Sequence, residues 1–151
     1  MVTFPDNIVE VANKTRGGFN QALGLEFVSL TPDEIVGELE VADHHKQPYG
    51  LVHGGVYSAV IETLCSTGAA LNVLGQGRTA VGLENTTSFI RAVRSGTLRG
   101  IATPLTKGRR SQVWEARITD ARDRLVATGR VRLMVLEAGA SAGGEKVGMV
   151  P

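Results

Sequence analysis

One long apolar helical segment constrains this chain more than any other feature. From Val56 to Leu74, apolar side chains recur every three to four residues, which is the period of one helix face. Gly75-Gln76-Gly77 ends the pattern. His53, Glu62 and several small residues interrupt the surrounding stretch, which therefore lacks the unbroken apolar length of a membrane span. We expect this helix to be buried inside a globular domain.

The segments on both sides of the helix predict β-strands. Residues 35–41 and 112–119 alternate apolar and polar side chains, the period of a strand. The predicted strands, separated by turns, are 24–30, 35–41, 79–91, 97–106, 112–119 and 125–136. Gly82 lies inside one of them and indicates a bulge. An antiparallel sheet wrapped around one long central helix buries both, which predicts an α+β fold.

The length of 151 residues fits a single domain. We expect this domain to span residues 1–136 and to begin with a helix at about 6–16 that ends at Gly17-Gly18. Residues 137–151 are rich in alanine and glycine and show no periodicity. That composition is typical of a disordered tail.

The charge and composition of the chain limit the classes of partner that it is expected to bind. The formal net charge is +1, so the chain lacks the basic field that nucleic acid or an anionic membrane would attract. We therefore expect neither partner. Asp6 and Glu10 interrupt the N-terminus before any apolar run could serve as a signal core, so a cytoplasmic location is expected.

Cysteine and histidine usage argues against a metal site. Cys65 is the single cysteine, so it forms no internal disulfide and belongs to no CxxC pair. We expect it to be a packing residue. His44, His45 and His53 have no cysteine partners at metal-ligand spacing, and His44-His45 is predicted to be a loop pair. No metal is expected.

Glu62 is the sharpest candidate for a functional group. It is the only acidic residue between Leu51 and Gln76, and no basic residue lies three or four positions away from it. An unpaired carboxylate on an apolar helix costs free energy unless something uses it. The pattern alone leaves two interpretations open: a functional carboxylate, or one that is solvated or paired with an arginine from elsewhere.

The segment Gln47-Pro48-Tyr49-Gly50-Leu51-Val52-His53-Gly54-Gly55, followed by Glu62, resembles the hotdog-fold acyl-CoA thioesterases. It is most similar to the phenylacetate-pathway and 4-hydroxybenzoyl-CoA thioesterases that carry a glutamate on the helix. The likeness spans roughly residues 20–136 in element order, with further patches at 80–91 and 108–114. It implies a hotdog fold that hydrolyses an acyl- or aryl-CoA thioester. Coenzyme A would then be part of the substrate, and no cofactor is expected.

Gly54 and Gly55 stand where the helix starts. The first-turn amides of a helix have no intrahelical acceptor and lie at the positive end of its dipole. They can therefore stabilise the oxyanion formed when a thioester carbonyl is attacked. The resemblance implies that the Gly54 amide polarises the carbonyl and that Gly55 adjoins the substrate. Alternatively, the two glycines merely turn the chain into the helix.

The spacing along the helix predicts a shared site. Eight residues separate Gly54 from Glu62, a rise of about 12 Å that a glutamate side chain cannot span. A second, antiparallel copy of the helix would bring the partner's carboxylate to the helix start. We therefore expect at least a dimer with two shared sites, and the resemblance implies the same arrangement. Because the family packs its dimers in more than one way, dimer and tetramer both stay open, with a tetramer expected.

The remaining catalytic roles are expectations. Glu62 could attack the carbonyl directly or act as general base on water. His53 and Gln47 would orient the loop, the carbonyl or the water, although His53 could instead make only a structural hydrogen bond. Ser66, four residues after Glu62, could hold the carboxylate or the water, or could be a small residue at a tight contact.

Substrate contacts are predicted on two segments. Lys107, Arg109 and Arg110 form a basic turn, and arginine forks suit the phosphates of coenzyme A. A solvated hairpin end is the alternative. The side chains expected to line a pantetheine channel are Asn85, Thr87 and Ser88, and those expected around the acyl group are Tyr49, Tyr57, Leu83 and Phe89.

Three other classes of protein remain as alternatives. A non-catalytic acyl-CoA-binding protein or sensor would keep the groove and the basic turn but would not need Glu62. A hotdog hydratase or dehydratase relies on a histidine and an acid in a different loop context. A structural protein that merely retains the fold can be excluded only by an assay.

Overall fold

A computed structural model describes residues 3–148 of the chain. The helices are α1 (Ile8–Lys14), α2 (Gly17–Leu23) and the long α3 (Gly54–Leu74), with a 3₁₀ turn at Asp43–His45. The strands of the main sheet are β1 (Glu26–Leu30), β2 (Ile35–Glu40), β3 (Arg78–Phe89), β4 (Thr97–Lys107), β5 (Ser111–Thr119) and β6 (Leu125–Glu137). A short hairpin follows, in which each strand has two residues: β7 (Ser141–Ala142) and β8 (Glu145–Lys146).

Six antiparallel strands form one sheet in the order β1-β2-β4-β5-β6-β3, and α3 packs across one face of it. This is the α+β hotdog arrangement that the sequence predicts. β3 pairs with β6 and forms an edge of the sheet, so its outer backbone groups have no strand beside them in the described chain. Within residues 3–148, none of the helices combines the length and the apolarity that crossing a membrane would require.

Glycines let the helix lie close to the sheet. A Cβ atom at Gly68 of α3 would lie 2.5 Å from the Trp114 ring of β5. A Cβ atom at Gly100 of β4 would lie 2.5 Å from the Leu64 side chain of α3. Trp114 is fully buried, and its indole N–H donates to the Gln112 side-chain oxygen at 2.9 Å, so burial leaves no polar atom of the ring unpaired. The helix is therefore fixed against the middle of the sheet.

The bulge expected at Gly82 is confirmed. The register between β3 and β6 shifts between Gly82 and Glu84, which leaves Leu83 as the extra residue. The bulge re-aims the side chains that follow it on β3.

The two ends of the chain differ from expectation. The helix predicted at about 6–16 corresponds to α1, which ends before Gly17, but α2, which begins at Gly17, was not expected. Gly17 adopts φ +75°, which a glycine reaches readily, and the chain changes direction there before helix resumes. Gly24, assigned to a strand from the sequence, is the left-handed cap of α2.

The tail expected at 137–151 also differs. Glu137 still belongs to β6, and β7 pairs with β8 in a short hairpin. Gly143 and Gly144 make its turn with positive φ angles, a signal that composition alone hides. Residues 149–151 of the expected tail lie outside the described residues.

Adding one methyl group at Gly68 tests the close packing. We expect Gly68→Ala to lower the free energy of unfolding by about 1–3 kcal/mol, because the methyl would overlap the Trp114 ring. Urea unfolding measures this. The matched control is Gly75→Ala at the C-cap of the same helix, where an added Cβ meets no atom within 4 Å and a change within about 0.5 kcal/mol is expected. Equal stability of the two variants would contradict the packing.

Candidate active site

The loop before α3 is anchored by a buried histidine. His45 is 3% exposed, and its Nε2 donates to the Leu23 carbonyl at 2.7 Å while its Nδ1 accepts from the Ala42 amide at 2.9 Å. Burial lowers the pKa of His45, which favours its neutral form. The His45 carbonyl in turn accepts the His53 amide at 2.8 Å. His45 therefore ties the start of α3 to the end of α2, in the loop where the pair was expected.

His53 caps α3. Its backbone is extended, and its Nδ1 accepts the Gly55 amide at 2.8 Å. With Nδ1 as acceptor, the neutral ring carries its hydrogen on Nε2. The Gly55 amide, expected beside the substrate, is therefore occupied by His53. Of the two roles weighed for His53, this geometry provides the structural hydrogen bond.

The Gly54 amide stays open. Among residues 3–148 it donates to no acceptor, although it belongs to the first turn of a 21-residue helix. A Cβ atom at Gly54 would lie 2.5 Å from Cε2 of Phe89, so a side chain here would meet the ring. Glycine thus brings the backbone against Phe89 and leaves one amide at the positive end of the helix dipole.

A cleft of about 250 Å³ opens at the helix start. It is lined by Gln47, Leu51, Val52, Gly54, Tyr57, Phe89, Ile90, Arg91 and Ala92. The Gln47 side-chain oxygen accepts the Tyr49 amide, which leaves its NH₂ group available as a donor.

Two of the four aromatic and aliphatic residues expected around the acyl group line this cleft. Tyr57 and Phe89 line the cleft, and their ring centroids are 6.0 Å apart. The buried Tyr57 hydroxyl has no hydrogen-bond partner among the described residues, and burial raises its pKa to about 12. Tyr49 is 81% exposed and Leu83 sits at the bulge, and neither is among the residues lining the cleft.

Glu62 lies at the centre of a small polar cluster between α3 and β3. Its Oε1 accepts the Ser66 hydroxyl at 3.0 Å, and its Oε2 accepts Nδ2 of Asn85 at 3.0 Å. The Thr87 hydroxyl donates to Oδ1 of Asn85 at 2.7 Å. No lysine, arginine or histidine in the described part of the chain forms an ion pair with Glu62. The carboxylate is therefore held by neutral donors alone.

Gly82 also belongs to this cluster, although the sequence indicated only a bulge there. A Cβ atom at Gly82 would lie 2.6 Å from Oε1 of Glu62. A glycine inside a strand signals either a bulge or a close approach, and here it provides both.

Cys65 is a packing residue, as expected. Its thiol is fully buried, and burial, with a smaller contribution from the Glu62 charge, raises its pKa. A thiol held protonated in this way is a poor nucleophile.

The expected substrate-binding residues fall in three places. Asn85 points toward α3, since its Nδ2 donates to Glu62, and Thr87 lies on the same face, since its hydroxyl donates to Oδ1 of Asn85. Ser88 lies on the opposite face of β3, where it lines a cleft of about 500 Å³ with Glu84 and Thr86. The structure therefore does not bring Ser88 together with the other two.

Arg109 and Arg110 lie in the turn between β4 and β5, far from Gly54 within one chain. The Arg109 carbonyl accepts from the Arg78 side chain at 2.7 Å, at the start of β3 just after α3 ends. The 21 residues of α3 span about 30 Å, and Gly54 lies at their other end. Lys107 pairs with Asp33 at 2.6 Å, whereas neither arginine side chain has an ion-pair partner in residues 3–148.

Comparison with known proteins agrees with this fold. The sequence matches the Thioesterase superfamily over residues 49–127, and the chain belongs to that family. It is therefore a thioester hydrolase of the hotdog fold.

Three relatives illustrate the likeness. A Mycobacterium tuberculosis protein, Rv1847, named provisionally as an esterase, is 48% identical over 80% of this chain and 87% of its own length. Its solved structure superimposes with a TM-score of 0.78, at 46% identity over 80% of this chain and 97% of that one. The proofreading thioesterase EntH of Cronobacter turicensis is 37% identical over 85% of this chain and 93% of its own. The 1,4-dihydroxy-2-naphthoyl-CoA hydrolase of Escherichia coli is 33% identical, over 76% and 83% respectively.

Gly82→Ala tests whether the observed carboxylate position matters for thioester hydrolysis. The added methyl would displace Oε1 of Glu62, the end of a flexible side chain, so the free energy of unfolding should change by less than about 1 kcal/mol. If this carboxylate is the reacting group, turnover should fall about tenfold to hundredfold, because small misplacements of a reacting group are costly.

Steady-state rates on benzoyl-CoA and urea unfolding measure the two effects. Gly18→Ala in α2, where an added Cβ meets nothing within 4 Å, is the matched control and should match the wild type in rate. Unchanged turnover in Gly82→Ala would show that the carboxylate need not stay where it is.

Proposed function

We propose that this protein hydrolyses acyl-CoA thioesters, with Glu62 as the reacting carboxylate and the Gly54 amide as the oxyanion donor. The observation that carries the proposal is the Glu62 carboxylate itself. It is held by Ser66 and Asn85 without any ion pair, on a helix whose start leaves the Gly54 amide open. A buried structural role would call for a charged partner, whereas a reacting carboxylate must remain available to substrate.

The chemistry follows from these two groups. Either Glu62 attacks the thioester carbonyl and forms an acyl-enzyme anhydride that water then opens, or it takes a proton from the attacking water. In both routes the carbonyl oxygen gains negative charge, which the Gly54 amide stabilises from the positive end of α3. The thiolate of coenzyme A then leaves, and the free acid is the second product.

The active site is shared between two chains. Gly54 and Glu62 are eight residues apart on a continuous helix, so about 12 Å of rise separates them within one chain. A partner whose α3 runs antiparallel brings its own Glu62 to this chain's Gly54.

The edge strand β3 supplies a surface for that partner. Leu83, Phe89 and Ile90, on β3 or directly after it, are 49%, 60% and 53% exposed. Exposed apolar side chains beside unpaired strand groups favour association with a second chain. A dimer of dimers is compatible with this arrangement and stays our expectation for the full assembly.

The loop and the basic turn complete the substrate contacts. The Gln47 side-chain NH₂ group, which adjoins Gly54 in the cleft, donates to the thioester carbonyl or to water. His53 acts by fixing the first turn through its bond to Gly55. Arg109 and Arg110, which lack ion-pair partners among the described residues, contact the phosphates of coenzyme A.

A panel of thioesters on wild type and Glu62→Gln tests the proposal. Benzoyl-, 4-hydroxybenzoyl-, phenylacetyl-, hexanoyl- and palmitoyl-CoA are assayed with a thiol-trapping dye. We expect wild-type turnover on at least one thioester and a loss of about 10²–10⁴-fold in Glu62→Gln, the usual range for removing an acid–base group. Equal turnover of the two proteins would refute the role of Glu62. Tight binding without turnover by either would favour the sensor alternative.

Mixing two inactive variants tests the shared site. Glu62→Gln and Gly54→Val, whose side chain would meet Phe89, should each be nearly inactive as homodimers. A refolded one-to-one mixture should regain about a quarter of the wild-type rate, since half the dimers are mixed and each has one intact site. Thermal melts confirm that both variants fold. A mixture as inactive as its parents would place the whole site within one chain.

A further inference from the structure

Both hydrogens of Nδ2 and the Oδ1 atom of the Asn85 side chain form hydrogen bonds within the protein. Its Nδ2 donates to Oε2 of Glu62 at 3.0 Å and to the Ser58 carbonyl at 3.1 Å. Its Oδ1 accepts the Thr87 hydroxyl at 2.7 Å. The side chain therefore bridges strand β3 to two successive turns of α3 and leaves little capacity for a substrate group.

These contacts fix which way the amide faces. A carboxamide turned by 180° would present its oxygen to the Glu62 carboxylate and to the Ser58 carbonyl, both of which only accept hydrogen bonds. It would also present its NH₂ group to the Thr87 hydroxyl, which can accept as well as donate and so does not distinguish the two orientations. The Ser58 carbonyl and the Glu62 carboxylate, which both accept from Nδ2, select the orientation in which Asn85 donates to Glu62, and the Thr87 hydroxyl donates to the Oδ1 atom that then faces it.

The carboxylate of Glu62 is consequently held from two elements. Ser66 donates to Oε1 from α3 itself, and Asn85 donates to Oε2 from β3. A glutamate side chain has several freely rotating bonds, and ordering it costs conformational entropy. One donor from the same helix would leave the carboxylate free to swing, whereas two donors from different elements define a single position.

We propose that Asn85 and Thr87 are positioning residues for Glu62 and do not serve as contacts to the pantetheine arm of the substrate. Thr87 donates to Oδ1 of Asn85 and so limits the rotation of the amide, and the amide holds the carboxylate where the thioester must meet it. This inference rests on the proposed function, because it gives Glu62 the reacting role. It predicts that losing either side chain lowers kcat and leaves KM nearly unchanged, since substrate binding does not use them.

The first test compares four variants on the best substrate of the thioester panel. Asn85→Ala should lower kcat about tenfold to hundredfold, with KM within about threefold of wild type. Thr87→Val, which keeps the shape and removes the hydroxyl, should lower kcat by a smaller factor of about three to ten. Thr87→Ser should recover most of that loss, because it restores the donor.

Thr86→Val is the matched control. Thr86 is also a threonine, directly before Thr87, but it lies on the other face of β3, where it lines the cleft of about 500 Å³ with Glu84 and Ser88. Its kcat and KM should equal those of wild type. A raised KM with unchanged kcat in Asn85→Ala or Thr87→Val would overturn the inference in favour of substrate contact. So would unchanged kinetics in both, or equal losses in Thr87→Ser and Thr87→Val.

A double-mutant cycle separates positioning from a general structural effect. If Asn85 acts through the carboxylate, adding Asn85→Ala to Glu62→Gln should cost no further activity, measured at high enzyme concentration. Fully additive losses would overturn the inference. Turnover retained in Glu62→Gln alone would instead defeat the proposed function. If Glu62→Gln is inactive while Asn85→Ala is fully active, the proposed function holds and only the positioning role is refuted.

Discussion

The close burial of α3 against one face of the sheet is the interaction on which the rest of this structure depends. Gly68 leaves room for the Trp114 ring, and Gly100 leaves room for Leu64, so the helix lies closer to the sheet than larger residues at these two positions would allow. Because α3 also packs along β3, its position relative to that strand is fixed as well. The polar cluster around Glu62 and the contact between Gly54 and Phe89 both lie in this helix–strand seam.

The same packing separates the two groups to which we assign hydrolysis. The open amide of Gly54 lies at the helix start, and the Glu62 carboxylate, our proposed base or nucleophile, lies two turns further along. A straight helix cannot fold back to join them. In the proposed mechanism each chain therefore supplies half of each of two sites, and the edge strand β3 is the surface on which we expect a second chain to complete them.

The sequence predicts the fold well and the site only in outline. The apolar period of α3, the alternation in β2 and β5, and the glycine at the β3 bulge are local signals, and each is found where expected. The helix α2 was not predicted, because a glycine with positive φ can begin a second helix where the first has ended. Hydrogen bonds between side chains of elements that are distant in sequence leave no local signal in the sequence. The hydrogen bond between Asn85 and Glu62 joins residues that are 23 positions apart. The bulge at Gly82 shifts the alternation of β3 and so decides which of the following side chains face the helix.

The buried imidazole of His45 has a consequence for how the chain can be shortened. Its Nε2–H is satisfied by the Leu23 carbonyl at the end of α2, and the Thr63 hydroxyl of α3 donates to Asn20 of the same short helix at 2.9 Å. A truncated protein that began at β1 would keep all six strands and the central helix. It would nevertheless leave a buried donor unpaired in the loop before α3. The short helix α2 therefore supports that loop, and domain boundaries drawn from the sheet alone would remove it.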